Sequence, residues 1–358
     1  MRARLPITVF LLFFFLAGPL QAADLFTVSG VPVDATAASA ADARNQALAV
    51  GQRAALRTML QRLTLREDQS RLPRIDEALV NRTVQGFEIA DERTSATRYI
   101  ARLSVSFRPA EIRGLLRQAG IGYSETRSLT TVVLPVFQSG DRKELWSDPN
   151  PWREAWAART PLDGLVQFAV PVGDIGDLQA IDAERAVAGD ADALKAIAAR
   201  YGKGDVLVAV ASPDLNQVAV EMHHYGQEQR HSVEQFPLSG PADSPESYAA
   251  AVAEAASRFE DAWKRETLIQ LDRTATLAVT VPLGGIADWI KVRQRLAETA
   301  EVSRYDIGAL TAREASLTLY YFGDPRRLRA ALAGHQLDLG ESGGFYTLRP
   351  VDAAAKAP

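Results

Sequence analysis

The histidines are the first residues to consider, because imidazole is a common metal ligand and general base. His223, His224 and His231 lie in two runs of alternating polarity that are joined by Tyr225-Gly226, a predicted hairpin. Neighbouring strand residues point to opposite faces, so only one of His223 and His224 can face His231 across the hairpin. A metal-assisted hydrolase that uses these histidines with an acidic residue is one hypothesis for function, but the spacing shows no further ligand. Exposed hairpin histidines are the simpler interpretation, and we favour it.

A second candidate is the acidic, turn-rich run Val172–Asp182, which carries Asp174, Asp177 and Asp182. Carboxylate oxygens are the ligands that hard cations prefer. The run lacks the spacing of an EF-hand loop, however, and aspartate and glycine are ordinary turn residues. We therefore expect a surface loop here and predict no metal site.

The most distinctive stretch is Leu145–Trp156, LWSDPNPWREAW, which holds three of the five tryptophans. Pro149 and Pro151 exclude an inner strand, and Asp148 or Asn150 can cap a short helix that begins near Pro151. Two interpretations remain open: the tryptophans fill a core, which we favour, or they form an aromatic ledge for a peptide or glycan. For the second, the predicted partner-binding residues are Trp146, Asp148, Asn150, Trp152, Trp156, Asp174 and Asp177.

Motifs that would identify an enzyme are scarce. The sequence contains no HExxH, GxxxxGK[ST] or GxGxxG. The absence of cysteine excludes disulfides, thiolate catalysis, cysteine-ligated zinc and a lipid anchor on an N-terminal cysteine. We therefore predict no catalytic residue and no cofactor, and a non-enzymatic protein is the preferred hypothesis.

Composition places the chain among ordinary folded proteins. Its 358 residues are enough for two or three domains. Of these residues, 47% are hydrophobic and 23% are charged, as in ordinary globular proteins. The formal net charge of −4 argues against a nucleic-acid-binding protein, which would carry a basic surface.

Residues 1–23 have the pattern of a secretory signal peptide, with Arg2 and Arg4 before the apolar run Ile7–Ala17. The run is about half the ~20 residues that a membrane-spanning helix needs. We expect cleavage and a periplasmic protein without an integral membrane span. The alternative is an inner-membrane protein that is anchored by an uncleaved signal.

Periodicity predicts a mixed α+β and α/β protein of three modules. Residues 24–122 follow the order β-α-α-β-β-α of a small α+β domain. Its first strand lies within the run Asp24–Val33 and is predicted to end at Pro32. Residues 128–270 alternate strands and helices as in a central α/β sheet domain, with strands at Leu129–Phe137 and Gly164–Pro171.

The third module, residues 274–350, has the ferredoxin-like order β-α-β-β-α-β. Its final strand is predicted over residues 336–349, with a break at Gly343-Gly344 as an alternative. Residues 351–358 are predicted to form a disordered tail.

Several segments resemble an uncharacterised exported family of proteobacteria, the domain of unknown function numbered two thousand and sixty-six. These segments are YIARLSVSF, LPVF, LWSDPNPWREAW, VPVGDIGD, AARYGKGDVLVAVA and the opening VSGVPVDATAASAADARNQALAVGQRAALRTMLQRL. The resemblance covers roughly residues 24–240 and implies no known activity, so it assigns a role to no residue.

The middle part is more weakly similar to α/β domains of periplasmic lipoproteins, such as the curli-secretion channel subunit and penicillin-binding-protein activators. The first module is similar to small modules of flagellar-associated periplasmic proteins. These similarities imply a scaffold that binds other envelope proteins or a cell-wall enzyme. The preferred hypothesis for function is thus a periplasmic interaction protein, whose contact surface lies beside Leu145–Trp156 and Gly173–Asp182.

Overall fold

The computed structural model describes residues 25–159, 164–202, 204–214, 216–226, 231–241 and 244–351. The predicted signal peptide, nearly all of the predicted tail and the side chain of His231 lie outside these residues. The fold is mixed α and β with three separate sheets, as predicted. Among the described helices, none combines the length and the apolar character that crossing a bilayer requires.

The first module has the predicted order of elements around an antiparallel sheet β1-β3-β2. Its elements are β1 (Thr27–Thr36), α1 (Ala40–Leu63), α2 (Glu77–Thr83), β2 (Val84–Thr94), β3 (Arg98–Phe107) and α3 (Pro109–Gln118), with a 3-10 helix over Arg66–Arg71. The prediction that the first strand ends at Pro32 is wrong, because Pro32 pairs with Arg102 in mid-strand. Proline is tolerated there since β1 lies at the edge of the sheet.

Small residues bring α1 close to this sheet. Ala43, Ala47 and Ala55 are buried on its inner face. Gly51 is buried among them, and a Cβ added there would lie 2.5 Å from both Leu103 Cδ1 and Val33 Cγ1. The alanine-rich sequence of the helix therefore reflects close packing on β3.

The second module is a sheet of order β5-β4-β7-β8-β9, in which β4 and β7 are parallel and the remaining neighbours antiparallel. A two-residue strand, β6, pairs with β4. The elements are β4 (Thr131–Ser139), β5 (Arg142–Glu144), α4 (Pro151–Ala158), β6 (Phe168–Ala169), α5 (Ile175–Ala180), α6 (Ala183–Ala188), α7 (Ala191–Arg200), β7 (Val206–Asp214), β8 (Gln217–Tyr225), β9 (His231–Ser239) and α8 (Pro245–Thr267). Helices cover both faces, with α4 and α8 on one and α6 and α7 on the other.

Two predictions for this module were wrong. The strand expected over Gly164–Pro171 is reduced to β6. The acidic run Val172–Asp182, expected to be a loop, contains α5 and is followed directly by α6, because Asp174 and Asp182 act as N-caps. Aspartate favours both turns and helix starts, and the apolar periodicity here is too short to separate the two.

The third module follows the predicted order as far as its second helix. Its elements are β10 (Thr274–Pro282), α9 (Ile286–Glu298), β11 (Val302–Leu310), β12 (Glu314–Phe322), α10 (Pro325–Gly334), β13 (Leu337–Ser342) and β14 (Phe345–Pro350), in the sheet order β11-β12-β10-β14-β13. The final predicted segment is a hairpin of β13 and β14, with the break at Gly343-Gly344 that the sequence offered as the alternative; these glycines adopt φ values of 60° and 82°. The last strand, β14, is inserted beside β10 and runs parallel to it.

The modules are joined by basic side chains that reach the carboxyl ends of helices in a neighbouring module. Lys264 extends from α8 to α1, Arg113 from α3 to α9, and Arg327 from α10 to α8. Lys264 donates to the carbonyls of Gln61 and Thr64 at 3.0 and 3.1 Å. Arg113 donates to those of Ala297 and Glu298 at 2.7 and 2.8 Å. Arg327 donates to those of Leu268 and Thr267 at 2.7 and 2.5 Å. Cationic donors satisfy carbonyls that a helix leaves unpaired and favour the negative end of its dipole. Each module therefore supplies a cation to another, and the three form a closed set of contacts.

Candidate functional site

The helix within the tryptophan-rich stretch starts as its sequence predicts. Asn150 is fully buried, and its Oδ1 accepts a hydrogen bond of 3.0 Å from the backbone N–H of Arg153. Pro151 occupies the first turn. Asn150 therefore caps α4 and has no surface for a partner, so its assignment to a contact surface is corrected.

Trp152 and Trp156 belong to the core. They are 0% and 2% exposed and meet edge to face at 5.8 Å between ring centroids. Trp152 Nε1 donates a bond of 2.8 Å to the Ala209 carbonyl in β7. The sequence left two interpretations open, and for these two tryptophans the structure shows core packing. The prediction that their rings form an exposed aromatic ledge is therefore wrong. Their i, i+4 spacing points both rings inward, against the sheet and α8.

Trp146 differs from the other two because it is only partly buried. Its Nε1 donates a bond of 2.7 Å to the carbonyl of Ile181, at the end of α5. Its ring lies against Gly173, where an added Cβ would be 3.2 Å from Trp146 Cε3. The structure thus brings together the two segments that the sequence singled out, the tryptophan-rich stretch and the acidic run.

The mostly buried side chain of Arg153 also lies against Gly173. Asp148 is largely exposed and is paired with Arg153. Of the residues predicted in this stretch, Trp146 and Asp148 therefore retain access to a partner.

The two predicted aspartates in the acidic run hold α5 in place. Asp174 caps the helix through a bond of 2.9 Å from Asp177 N–H, and its carboxylate also accepts from Arg200. Asp177 is fully buried and accepts from Gly173 N–H (3.0 Å), Arg200 Nε (2.8 Å) and Tyr201 OH (2.8 Å). Asp177 therefore anchors the segment to α7 and is not itself a contact residue, which corrects its assignment.

The environment of Asp177 favours its charged form. Burial raises the pKa of this carboxyl, but the hydrogen bonds from Tyr201, Arg200 and Gly173 outweigh burial, so its pKa lies below the ordinary value. Burial, and after it the hydrogen bond to the Asp177 carboxylate, raises the pKa of Tyr201 above its ordinary value. Among the described residues, no three histidine, aspartate or glutamate side chains are placed to hold a metal ion.

Sequence reasoning missed the most exposed apolar residues at this place. Val172, Ile175 and Leu178 are 76%, 78% and 51% exposed, and Ile175 and Leu178 lie three apart on α5, on one side of the helix. We call these three side chains the α5 patch. Neither of the two cavities described for the protein, of about 150 and 390 Å³, is lined by the patch or by the tryptophans. The candidate site is therefore an exposed surface, and the signal for it was three aliphatic residues within an acidic run.

His223 and His224 point in different directions, as the strand period requires. His224 Nε2 lies 2.9 Å from Asp205 Oδ2, and its ring packs on Phe259 of α8. His223 is largely buried and stacks on Tyr225, which pairs with His231 in the hairpin register. Both described rings are engaged in packing, so the expectation of exposed hairpin histidines is wrong for them.

The sequence also contains Gly340–Gly344, GESGG, which matches the GxSxG form of hydrolase nucleophiles, so the prediction that no such motif occurs is wrong. Ser342 is the last residue of β13, at the turn into β14. A nucleophile elbow needs a strand-to-helix turn instead. The pattern therefore lacks the structural context of a catalytic serine.

A family model described as a domain of unknown function, DUF8605, matches residues 25–125, from just before β1 to just beyond α3. No curated protein and no solved structure matches the chain. The first module is thus similar to an uncharacterised domain, as expected, and the match assigns no activity to it.

Proposed function

We propose that this chain is an exported, non-enzymatic interaction or scaffold protein of the bacterial cell envelope, which acts in the periplasm. The α5 patch is the observation that carries the proposal. Exposed aliphatic side chains that cluster on one element commonly mark contact sites for other proteins. The apolar N-terminal run after Arg2 and Arg4 supports export, and the absence of cysteine fits a fold that is stabilised by packing alone.

A rigid base supports the assignment of this patch to partner binding. Asp174 and Asp177 accept hydrogen bonds from Arg200, at the end of α7, and Asp177 also accepts one from Tyr201. Trp146 donates a hydrogen bond to the carbonyl of Ile181, the residue after α5. A surface that is already ordered loses less conformational entropy when it binds. The expected partner is an envelope protein or a cell-wall enzyme with an apolar contact surface of its own.

We also propose that the chain belongs to the proteobacterial family numbered two thousand and sixty-six. The order of segments such as LPVF, LWSDPNPWREAW and VPVGDIGD supports this assignment. The similarity of the middle module to domains of periplasmic lipoproteins is part of the same proposal. Without a cysteine, any attachment to the outer membrane would run through a partner.

Residues 1–23 are proposed to be removed on export. Mass spectrometry of the protein from the periplasmic fraction should find a chain that begins near Asp24. Recovery of the full-length chain from the inner membrane would instead support the alternative, an uncleaved anchor.

The proposed contact is tested by capture of partners from a periplasmic extract with the wild type and an Ile175→Glu, Leu178→Glu double variant. We expect the variant to fold normally and to lose the captured protein, because two charges would be placed in the apolar contact. Val50→Glu on α1 is the matched control, since Val50 is also an exposed aliphatic, at 50%. Capture of the same partners by the folded double variant would contradict the assignment of the α5 patch.

A further inference from the structure

The strand β11 forms an edge of the third sheet, because within the described residues it pairs with β12 alone. Register shifts after Val302 and after Ile307 leave a regular run from Arg304 to Ile307. An exposed edge presents unpaired backbone N–H and C=O groups to another strand. We propose that two copies of this chain associate through their β11 edges and form one continuous sheet of ten strands. This inference concerns a different surface from the α5 patch and does not depend on the proposed function.

Exposed apolar side chains accompany this edge on the helix-covered face of the sheet. Ile307 pairs with Leu317, and Leu310 pairs with Ala315; both partners are buried under the helices. Ile307 and Leu310 therefore point to the same face, yet each is 49% exposed. Two copies joined at the edge would cover part of this exposed apolar surface.

The helix α9 extends the same apolar surface. The ring of Trp289 contacts Tyr305 of β11 edge to face at 6.5 Å, which places α9 over this edge. Ile286 and Ile290, three residues before and one after Trp289, are 72% and 57% exposed. A second copy related by a dyad at β11 would place its own α9 beside this one, with these isoleucines available for the contact.

Charge complementarity identifies the occupant as a second copy of the chain. Arg304 and Asp306 lie two apart in the regular run, so both point to the face away from the helices. Both side chains are more than half exposed. In an antiparallel pair centred on Tyr305, Arg304 of each copy lies opposite Asp306 of the other. Opposite charges that face each other across strands are favourable, and the arrangement is self-complementary, as an isologous dimer requires.

Arg304 is held at the edge. Its guanidinium lies 3.6 Å from the centroid of the Tyr320 ring and 2.8 Å from its own Asp306. Pairing of two copies would form an alternating cluster of two arginines and two aspartates. A foreign strand would match this pattern only if it carried the same charges in the same order.

The test is sedimentation equilibrium of the purified protein over a range of concentrations. The wild type should form dimers, and Arg304→Asp should weaken the dimer by about tenfold or more, because the introduced carboxylate of each copy would face Asp306 of the other. Asp306→Arg should have the same effect through two arginines. The double exchange, Arg304→Asp with Asp306→Arg, should restore dimers, because each pair is again opposite in charge.

A mixture of the two single variants provides the sharpest check, since one is all acidic and the other all basic at these positions. The mixture should form heterodimers at concentrations at which each variant alone is largely monomeric. Arg53→Asp on α1 is the control for a change of net charge and should leave the dimer intact. A monomer at every concentration, or single variants that dimerise like the wild type, would overturn the proposal. If the β11 edge instead pairs only with a strand of another protein, the wild type would be a monomer that binds this protein through β11, and the proposed dimer would be wrong.

Discussion

The carboxylate of Asp177 is completely buried, and its Oδ1 accepts a hydrogen bond of 2.8 Å from Nε of Arg200. This contact ties the segment that carries the exposed α5 patch to the end of α7. A residue that the sequence suggested as a contact residue is thus the support of a contact surface.

Asp177→Asn should lower the free energy of unfolding by about 1–3 kcal/mol at neutral pH. The asparagine amide has one acceptor oxygen and no charge, so it cannot accept all the hydrogen bonds that Gly173, Arg200 and Tyr201 donate to the carboxylate. The pKa of Asp177 is lowered in the folded protein, so its contribution is fully present above the unfolded value of about 3.9 and is lost as the pH falls through the folded pKa. The difference between wild type and variant should therefore shrink below about pH 4.

The measurement is urea denaturation at pH 7 and at a series of acidic pH values. Asp141→Asn, in the turn between β4 and β5, is an exposed control that should leave stability nearly unchanged. An Asp177→Asn variant as stable as the wild type at pH 7 would show that the buried network does not stabilise the fold.

Trp152→Phe should destabilise the protein more than Trp156→Phe. The two changes remove similar volume, but only Trp152 Nε1 donates a bond, to the Ala209 carbonyl, while Trp156 Nε1 has no partner among the described residues. The expected difference is about 1 kcal/mol, the typical net value of one hydrogen bond. Thermal unfolding monitored by circular dichroism would measure this difference. Equal melting temperatures of the two variants would contradict the assignment of the Trp152 hydrogen bond.

Gly51→Ala should cost about 1–3 kcal/mol, because the added Cβ would meet Leu103 and Val33 at 2.5 Å in a packed core. Gly114→Ala is the matched control within a helix, since nothing lies within 4 Å of its added Cβ. That variant should be neutral or more stable by up to about 1 kcal/mol. Chemical denaturation of both variants tests the close approach of α1 to the sheet, which a tolerated Gly51→Ala would disprove.

Lys264→Met should loosen the junction between the first and second modules. The change leaves the carbonyls of Gln61 and Thr64 without their charged donor, at a cost of about 1–3 kcal/mol. Hydrogen exchange should rise in the last turn of α1, where Thr64 N–H bonds to Leu60, more than in the rest of that helix.

Lys195→Met on the exposed side of α7 controls for the loss of a positive charge. Unchanged exchange at the end of α1 in the Lys264→Met variant would show that this side chain does not couple the modules.

Local signals in the sequence predicted many elements well. Ser244-Pro245 marked the start of α8, and the alternating runs on either side of Tyr225-Gly226 formed β8 and β9. Asn150 was one of two caps proposed for α4. Caps, prolines and alternation act between residues that are close in the chain, so they can be recognised without knowledge of the fold.

The composition and order of segments also determined the mixed α and β class and the absence of any cysteine chemistry. Only the tertiary structure decided that Trp152 and Trp156 are core residues, that Asp177 is an anchor and that Ile175 and Leu178 are exposed. It alone revealed the cations Lys264, Arg113 and Arg327 that join the modules. Burial and long-range pairing depend on which distant segments meet, and that depends on the packing of the whole chain, which no local pattern encodes.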